Sequence, residues 1–275
     1  MTTLTASARA TALAGAAVVL VAALSACGAS AGDDTDPEHR SFGLQGRTLT
    51  VDSDDSALEI VASGTNPAGK IEVTRWFRGS VVVGKEPKVT WDMRDDRLVL
   101  RLKCSGIVVD CSAKHRIEVP RGVTVKVQDG DGSVRARGFR DPLSIRTGDG
   151  SVRVSDTTGP LELRTGDGSI RVSDTTGPLR MRTGDGSIRA DVSSRTVRTR
   201  TGDGSVRLEL GVVPDRVESR SGDGSVSIAL PRATYRVTTE TGDGGVDVSV
   251  PRDETSSHMV SAHTGDGKVT VRTAN

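Results

Sequence analysis

Residues 143–160 read LSIRTGDGSVRVSDTTGP, residues 161–178 read LELRTGDGSIRVSDTTGP, and the same text restarts at Leu179. The shared Gly-Asp-Gly recurs eight times, with its aspartate at Asp131, Asp149, Asp167, Asp185, Asp203, Asp223, Asp243 and Asp266. The first four intervals are 18 residues, and the next three are 20, 20 and 23. A fixed period of this length marks a repeat architecture, in which each unit buries its apolar face against the next.

Counting from each aspartate as position 0, positions +3 and +5 are apolar in every unit, from Val134 and Ala136 to Val269 and Val271. Positions −6 and −4 are mostly apolar, as in Leu143/Ile145 and Leu161/Leu163, while the residues between are Arg, Ser, Glu, Lys or Thr. Strict alternation predicts two short, half-buried strands per unit. Gly-Asp-Gly is expected to turn the chain at one side, with Gly permitting positive φ and Asp bonding nearby N–H groups. Asp156-Thr157-Thr158-Gly159-Pro160 turns it at the other.

The fold class is therefore all-β, and two windings fit. One is a parallel β-solenoid with rungs of 18–20 residues and Asp stacked above Asp. The other is an antiparallel β-meander with Gly-Asp-Gly at its hairpin tips. Near-identical residues at every position favour the solenoid, whose eight corners would span about 34 Å. The register continues upstream. Asp55 as position 0 places Leu49, Val51, Leu58 and Ile60 at apolar positions, and Asp95 does the same for Val89, Trp91, Leu98 and Leu100. The segment from Ile117 to Val123 matches that from Ile228 to Thr234. One solenoid domain is predicted over residues 42–275, with degenerate rungs in 42–122 and regular ones in 123–275. Trp76, Phe77 and Trp91 are placed to cap the early end, and Val269-Thr270-Val271 is read as the exposed last rung.

The first 26 residues read as a lipoprotein signal peptide. Arg9 precedes a 14-residue, almost wholly apolar stretch from Ala10 to Ala23, shorter than the ~20 residues that span a bilayer. It ends in Leu24-Ser25-Ala26-Cys27-Gly28, a lipobox in which Cys27 is the residue lipidated. Residues 27–41 then form an acidic, disordered tether, and the lipid on Cys27 is the expected contact with the membrane. An ordinary signal peptide with an incidental cysteine is the alternative. Export places Cys104 and Cys111 where disulfides persist, so a disulfide is expected, two buried thiols being the alternative. The net charge is +1 from 37 cations and 36 anions, which leaves no basic field for nucleic acid. Aromatic residues are 2% of the chain, so Val, Ile, Leu and Ala must build the core.

The lipobox, the cysteine pair ahead of His115-Arg116-Ile117-Glu118-Val119-Pro120-Arg121-Gly122-Val123, and the Thr-Gly-Asp-Gly-Ser units together resemble one family. It is the putative-adhesin family of β-strand-repeat bacterial lipoproteins, domain of unknown function 4097, common among actinobacteria. The resemblance covers residues 42–275 and implies an extracytoplasmic β-solenoid. It implies no activity.

Three kinds of chemistry are testable on these residues. The aspartate row invites a calcium reading, but no second carboxylate recurs beside it, so turn formation is expected and no metal or cofactor. Arginine forms two rows, Arg135, Arg153, Arg171, Arg189 and Arg207 at position +4, and Arg146, Arg164, Arg182, Arg200 and Arg220 at −3. From Asp141 to Leu210 there are 11 Arg against 10 acidic residues, so local compensation by Asp, Glu162 and Glu209 is one reading. The sharper reading is that the +4 row grips an anionic envelope polymer, such as teichoic acid or phospholipid headgroups. Catalysis finds no triad-like signature among His39, His115, His258 and His263, and Ser at position +2 in six units is strand filler. The expectation is a non-enzymatic lipoprotein on the outer face of the cytoplasmic membrane, acting in adhesion or envelope structure. The alternatives are a regulatory or sensory lipoprotein acting on a membrane partner, and a polysaccharide-acting β-helix enzyme.

Overall fold

The computed structural model describes residues 36–274. The predicted signal peptide, Cys27 and the tether as far as residue 35 lie outside them. Among the described residues there are 21 strands and no helix. The early strands are β1 (Glu38–Gly43), β2 (Thr48–Ser53), β3 (Ala57–Ser63), β4 (Lys70–Arg94) and β5 (Arg97–Pro120). The regular region holds β6 (Thr124–Asp129), β7 (Val134–Arg137), β8 (Leu143–Thr147), β9 (Val152–Thr157), β10 (Leu161–Arg164) and β11 (Ile170–Thr175). It continues through β12 (Leu179–Arg182), β13 (Ile188–Val192), β14 (Thr196–Arg200), β15 (Val206–Leu210), β16 (Arg216–Arg220) and β17 (Val226–Leu230). The last four are β18 (Arg236–Glu240), β19 (Val246–Val248), β20 (Met259–His263) and β21 (Val269–Thr273).

From β6 to β15 each strand pairs in parallel with the strand two further along the chain, never with its neighbour in sequence. Leu143, Leu161, Leu179 and Val197 follow one another up one sheet. Val152, Ile170, Ile188 and Val206 follow one another up the other. This is a flattened parallel solenoid, and parallel register excludes the meander for these rungs. The inward residues of both sheets, at positions −6, −4, +3 and +5, are nearly all inaccessible to solvent. Each such Val, Leu or Ile contributes roughly 1.5–3 kcal/mol by leaving water, so a rung is held mainly by the rung beside it.

The early end is built differently. The register based on Asp55 holds, since Leu49 and Val51 pair with Val125 and Val127, and Leu58 and Ile60 with Val134 and Ala136. The register based on Asp95 does not. Asp95 and Asp96, at φ 49° and 58°, turn a long antiparallel ribbon of β4 and β5. Trp91 and Leu100 face each other across that ribbon rather than across a rung. Apolar alternation is common to both arrangements, and the sequence pattern alone does not separate them. Within the ribbon, β5 runs first beside β2 and then beside β3, thus joining both sheets. Ile117 pairs with Ile60, which places it at position +5, where Ile228 also lies.

The ribbon folds back on itself midway. Seven residues of straight strand span about 23 Å, yet the Cα atoms of Cys104 and Cys111 are 6.5 Å apart and joined by a disulfide. The fold falls at the facing pair Gly84 and Gly106, at φ 151° and 155°, and a Cβ on either would strike the opposite backbone. Over the end of the stack, β1 lies antiparallel on β4. Phe42 meets Trp91 edge-on at 6.1 Å, and the Arg75 guanidinium lies 4.4 Å from the centre of the Trp91 ring while bonding Glu38 at 2.6 Å.

At the far end the rungs leave chain order. β20 and β21 are inserted between the rung of β16 and β17 and the rung of β18 and β19. Val269-Thr270-Val271 is therefore an interior strand with a partner on each side, which corrects its reading as the exposed last rung. The open end is β18 and β19. There Val246 is 49% exposed, whereas its counterpart Val269 is fully buried. Periodicity assigns residues to rungs, but it carries no information on the order in which rungs stack.

Candidate functional site

The Gly-Asp-Gly corner and the strands flanking it form the site. Sequence parity continues one step beyond −4, so position −2 also points inward, and in seven of the eight units it is Thr or Ser. These hydroxyls are hydrogen-bond donors to the corner carbonyls of the neighbouring rung. Thr165 Oγ1 donates to Gly148 O and Gly150 O, both at 3.0 Å, and Thr183 Oγ1 to Gly166 O and Gly168 O at 2.9 and 3.0 Å. Thr201, Ser221 and Thr264 repeat the arrangement. A buried carbonyl left without a donor costs about 1–3 kcal/mol, so this ladder maintains the corners. The sequence reading gave these residues no role, although their parity showed that they face inward.

The corner glycines serve close approach rather than positive φ. Among the described residues the positive-φ glycines are Gly69, Gly84, Gly106, Gly122 and Gly138, none of them in a Gly-Asp-Gly. A Cβ on Gly150 or Gly168 would instead collide with the glycine carbonyl of the rung below. The aspartates between them are exposed. Asp131 Oδ1 accepts from the Asp149 N–H at 3.2 Å and Asp149 Oδ1 from the Asp167 N–H at 3.4 Å, so the carboxylates serve the next rung. Among the described residues no group of three or more His, Cys, Asp or Glu is arranged to hold a metal ion.

One unit breaks the ladder. Asp129 stands where the others have Thr or Ser, 8% exposed, and neither carboxylate oxygen has a hydrogen-bond partner. Its Oδ2 lies 2.5 Å from where a Cβ on Gly132 would be, as Thr147 Oγ1 lies 2.7 Å from that of Gly150, so the two side chains fill the same corner. Burial pushes the Asp129 carboxyl up to about 7, the nearby Ser53 hydroxyl opposes this, and the charges of Asp55, Asp131 and Asp54 add to it. Held as the acid, Asp129 has a proton to donate where threonine donates its own. This junction joins the ribbon end to the regular stack.

Arginine rows flank the corner on both sheets. Arg135, Arg153, Arg171 and Arg189 stand directly above one another, followed by Arg207. Strand spacing puts neighbours about 4.8 Å apart. All five are exposed, and none has an acidic partner among the described residues. The first four border a shallow groove also lined by the row Ser133, Ser151, Ser169 and Ser187. On the opposite sheet Arg146, Arg164, Arg182, Arg200 and Arg220 line a second groove of about 720 Å³, ending at His263. Among the described residues, Glu59 stands in register beside Arg135 at one end of the +4 row and lies 3.6 Å from Arg137, and compensation also operates beside the second row. Arg146 is 3.7 Å from Glu162, and Glu218 takes Arg198 at 2.8 Å and Arg216 at 2.9 Å. The Arg198 hydrogen bond holds the Glu218 carboxyl below its ordinary range, against a smaller effect of burial. Glu209 has no such partner among the described residues.

The histidines are scattered. His39 bonds Thr74, His258 bonds Pro214 O, and His263 lies 3.2 Å from Glu240. His115 is fully buried near the ribbon with both ring nitrogens unpartnered. Burial, and then the charge of Arg75, push it down to about 4.

A flattened β-solenoid with inward hydroxyls at its corners and outward arginines beside them defines a β-strand-repeat module. The chain belongs to the Toastrack DUF4097 family, whose model matches residues 28–275. No curated protein matches the chain. Solved structures share the fold. A "putative adhesin" from Parabacteroides merdae is 14% identical with a TM-score of 0.54, the match covering 88% of this chain and 97% of that one. A "putative lipid binding protein" from Parabacteroides distasonis is 12% identical with a TM-score of 0.55, over 88% of this chain and 98% of that one. A "putative adhesin" from the same species is 13% identical at a TM-score of 0.54, over 87% and 98%.

Proposed function

We propose that the protein is a non-enzymatic module of the envelope surface, tethered through lipid on Cys27 to the outer face of the cytoplasmic membrane. Its arginine rows bind a linear polyanion of the envelope, of the polyol-phosphate or anionic-headgroup class. The observation that carries this reading is the +4 row. Five exposed guanidinium groups are stacked in register, and none of them forms an ion pair among the described residues, Glu59 beside Arg135 being the one carboxylate paired in register with the row. Like charges directly opposite on neighbouring strands destabilise a sheet, and a ligand with anionic groups repeating along the stack relieves that cost. Arginine suits it, since its planar fork takes a phosphate through two parallel hydrogen bonds. The fold is shared with proteins described as adhesin and lipid-binding, which is compatible with a binding role.

The test is co-sedimentation of the full chain with poly(glycerol phosphate) immobilised on beads and, separately, with vesicles of anionic phospholipid. Replacing Arg153, Arg171 and Arg189 together by Gln is expected to weaken binding at least tenfold and to flatten its dependence on salt. Binding to vesicles alone assigns headgroups as the source of the phosphate, and binding to the beads assigns the wall polymer. Equal binding by wild type and triple variant sinks the proposal.

A further inference from the structure

We propose that the open end formed by β18 and β19 is a self-association surface, through which two copies of this chain join end to end by antiparallel pairing of β18 with its own copy. The hydrogen-bonding groups of that edge can be assigned. The Arg236 N–H donates inward to His258 O at 2.9 Å, and Glu240 O accepts inward from the Thr264 N–H at 3.0 Å. Parity then turns the N–H and C=O of Val237 and Thr239 outward, where no strand among the described residues covers them. On the other sheet Gly245 O and the Ser249 N–H are bonded to β21, so Val246 and Val248 present their backbone groups at the free edge.

The sequence of β18 is self-complementary in one antiparallel register. With Thr238 placed opposite Thr238 of the second copy, Val237 meets Thr239 of that copy and exchanges two backbone hydrogen bonds with it. Thr239 and Val237 do the same on the other side of the twofold axis. On the outer face Arg236 then meets Glu240 of the second copy and Glu240 meets Arg236, so both outer pairs are opposite in charge and the central one is Thr with Thr. Each of these pairings is among those that stabilise antiparallel strands. Arg236 has no acidic partner in its own chain among the described residues, whereas Glu240 is exposed beside His263. The inward side chains gain as well, since Val237, Val246 and Val248 are the least covered of the rung valines. Asp247 meets Asp247 in the matching register of β19, and Lys268, 3.9 Å from Asp247, supplies the counter-charge. A twofold contact of this kind closes on itself and ends growth at two copies. The end of one rung is small beside a standard interface, so the association is weak and cross-linking reads it better than elution volume.

The central pair provides the test. Thr238 is a non-hydrogen-bonded position, where Cα atoms of facing residues approach to about 4.5 Å. The full chain carrying Thr238→Cys is expected to form a disulfide-linked dimer under mild oxidation. Thr270→Cys, on the interior strand β21, is the control and should show no more dimer than wild type. Adding Arg236→Glu to Thr238→Cys should cut the dimer at least tenfold, and adding Glu240→Arg as well should restore it. Circular dichroism on each variant confirms that the solenoid is intact. A monomeric Thr238→Cys chain, equal cross-linking by Thr270→Cys, or failure of the double charge exchange to restore the dimer would overturn the proposal.

Discussion

The two ends of the stack solve the same problem in opposite ways. At the ribbon end the chain leaves the solenoid, folds a two-stranded ribbon across both sheets, and closes it with Phe42, Trp91 and a disulfide. At the other end the rung of β18 and β19 is left with one neighbour and half-open valines. A regular repeat has no internal signal to stop, so its ends must be supplied by residues that break the repeat. Here one end is broken thoroughly and the other hardly at all.

The largest effect follows from the inserted rung. Ending the chain after Ser257 removes β20 and β21, which lie between two rungs, and leaves β18 and β19 without their partners. A fall in melting temperature of more than about 10 °C is expected by circular dichroism. A loss of only a few degrees would show that the displaced rung simply closes onto β16 and β17. Next is the contrast between the ends themselves. Phe42→Ala is expected to cost roughly 3–5 kcal/mol in urea unfolding, and Val246→Ala under about 0.5. Comparable costs would remove the distinction between a closed and an open end.

The junction below the ribbon gives a pH-dependent prediction. Asp129 has its folded pKa raised from 3.8 to about 7. Its contribution is fully present below the unfolded value and is lost as pH rises through about 7. Asp129→Thr restores the hydroxyl ladder and should stabilise by about 1–3 kcal/mol at pH 8, with a smaller gain at pH 5. His115 acts with the opposite sign, since its folded pKa falls from 6.5 to about 4. Its contribution is present above about 6.5 and is lost as pH falls through 4, so His115→Leu should flatten the acid side of the same melting series. A gain from Asp129→Thr that is equal at both pH values contradicts the protonated junction. The smallest expected effect is local. Replacing Cys104 and Cys111 together by Ser removes a short loop closure worth at most about 2.4 kcal/mol. It should speed hydrogen exchange in the ribbon while leaving β11 and β13 unchanged.

Much of the regular stack was legible because its pattern is redundant. Eight aspartates, with valines and leucines at fixed offsets, specify two strands per unit and favour parallel stacking over a meander, and Asp55 extends that register to β2 and β3. The ribbon was not legible, because Val89, Trp91, Leu98 and Leu100 alternate in an antiparallel hairpin just as they would in a rung. Of Trp76, Phe77 and Trp91, the residues read as capping the early end, Trp91 is the one that packs on Phe42 where the stack closes. Around the corner the arginine rows could be read directly from offsets. The threonine ladder could have been, since position −2 shares the parity of −4 and −6, but a polar residue there resembles an outward one. Asp129 shows as a substitution for threonine only once that ladder is recognised.

The insertion of β20 and β21 also bears on the order of events when the protein forms. A chain delivered from its amino end can add rungs one by one as far as β17, each onto a finished surface. The next pair, β18 and β19, reaches solvent before the strands that will lie beneath it. It must wait apart, or occupy their place and later yield it, until residue 273 has emerged. The far end of the solenoid is therefore completed only when β20 and β21 arrive, and a chain without that rung lacks the piece that joins β18 and β19 to the stack.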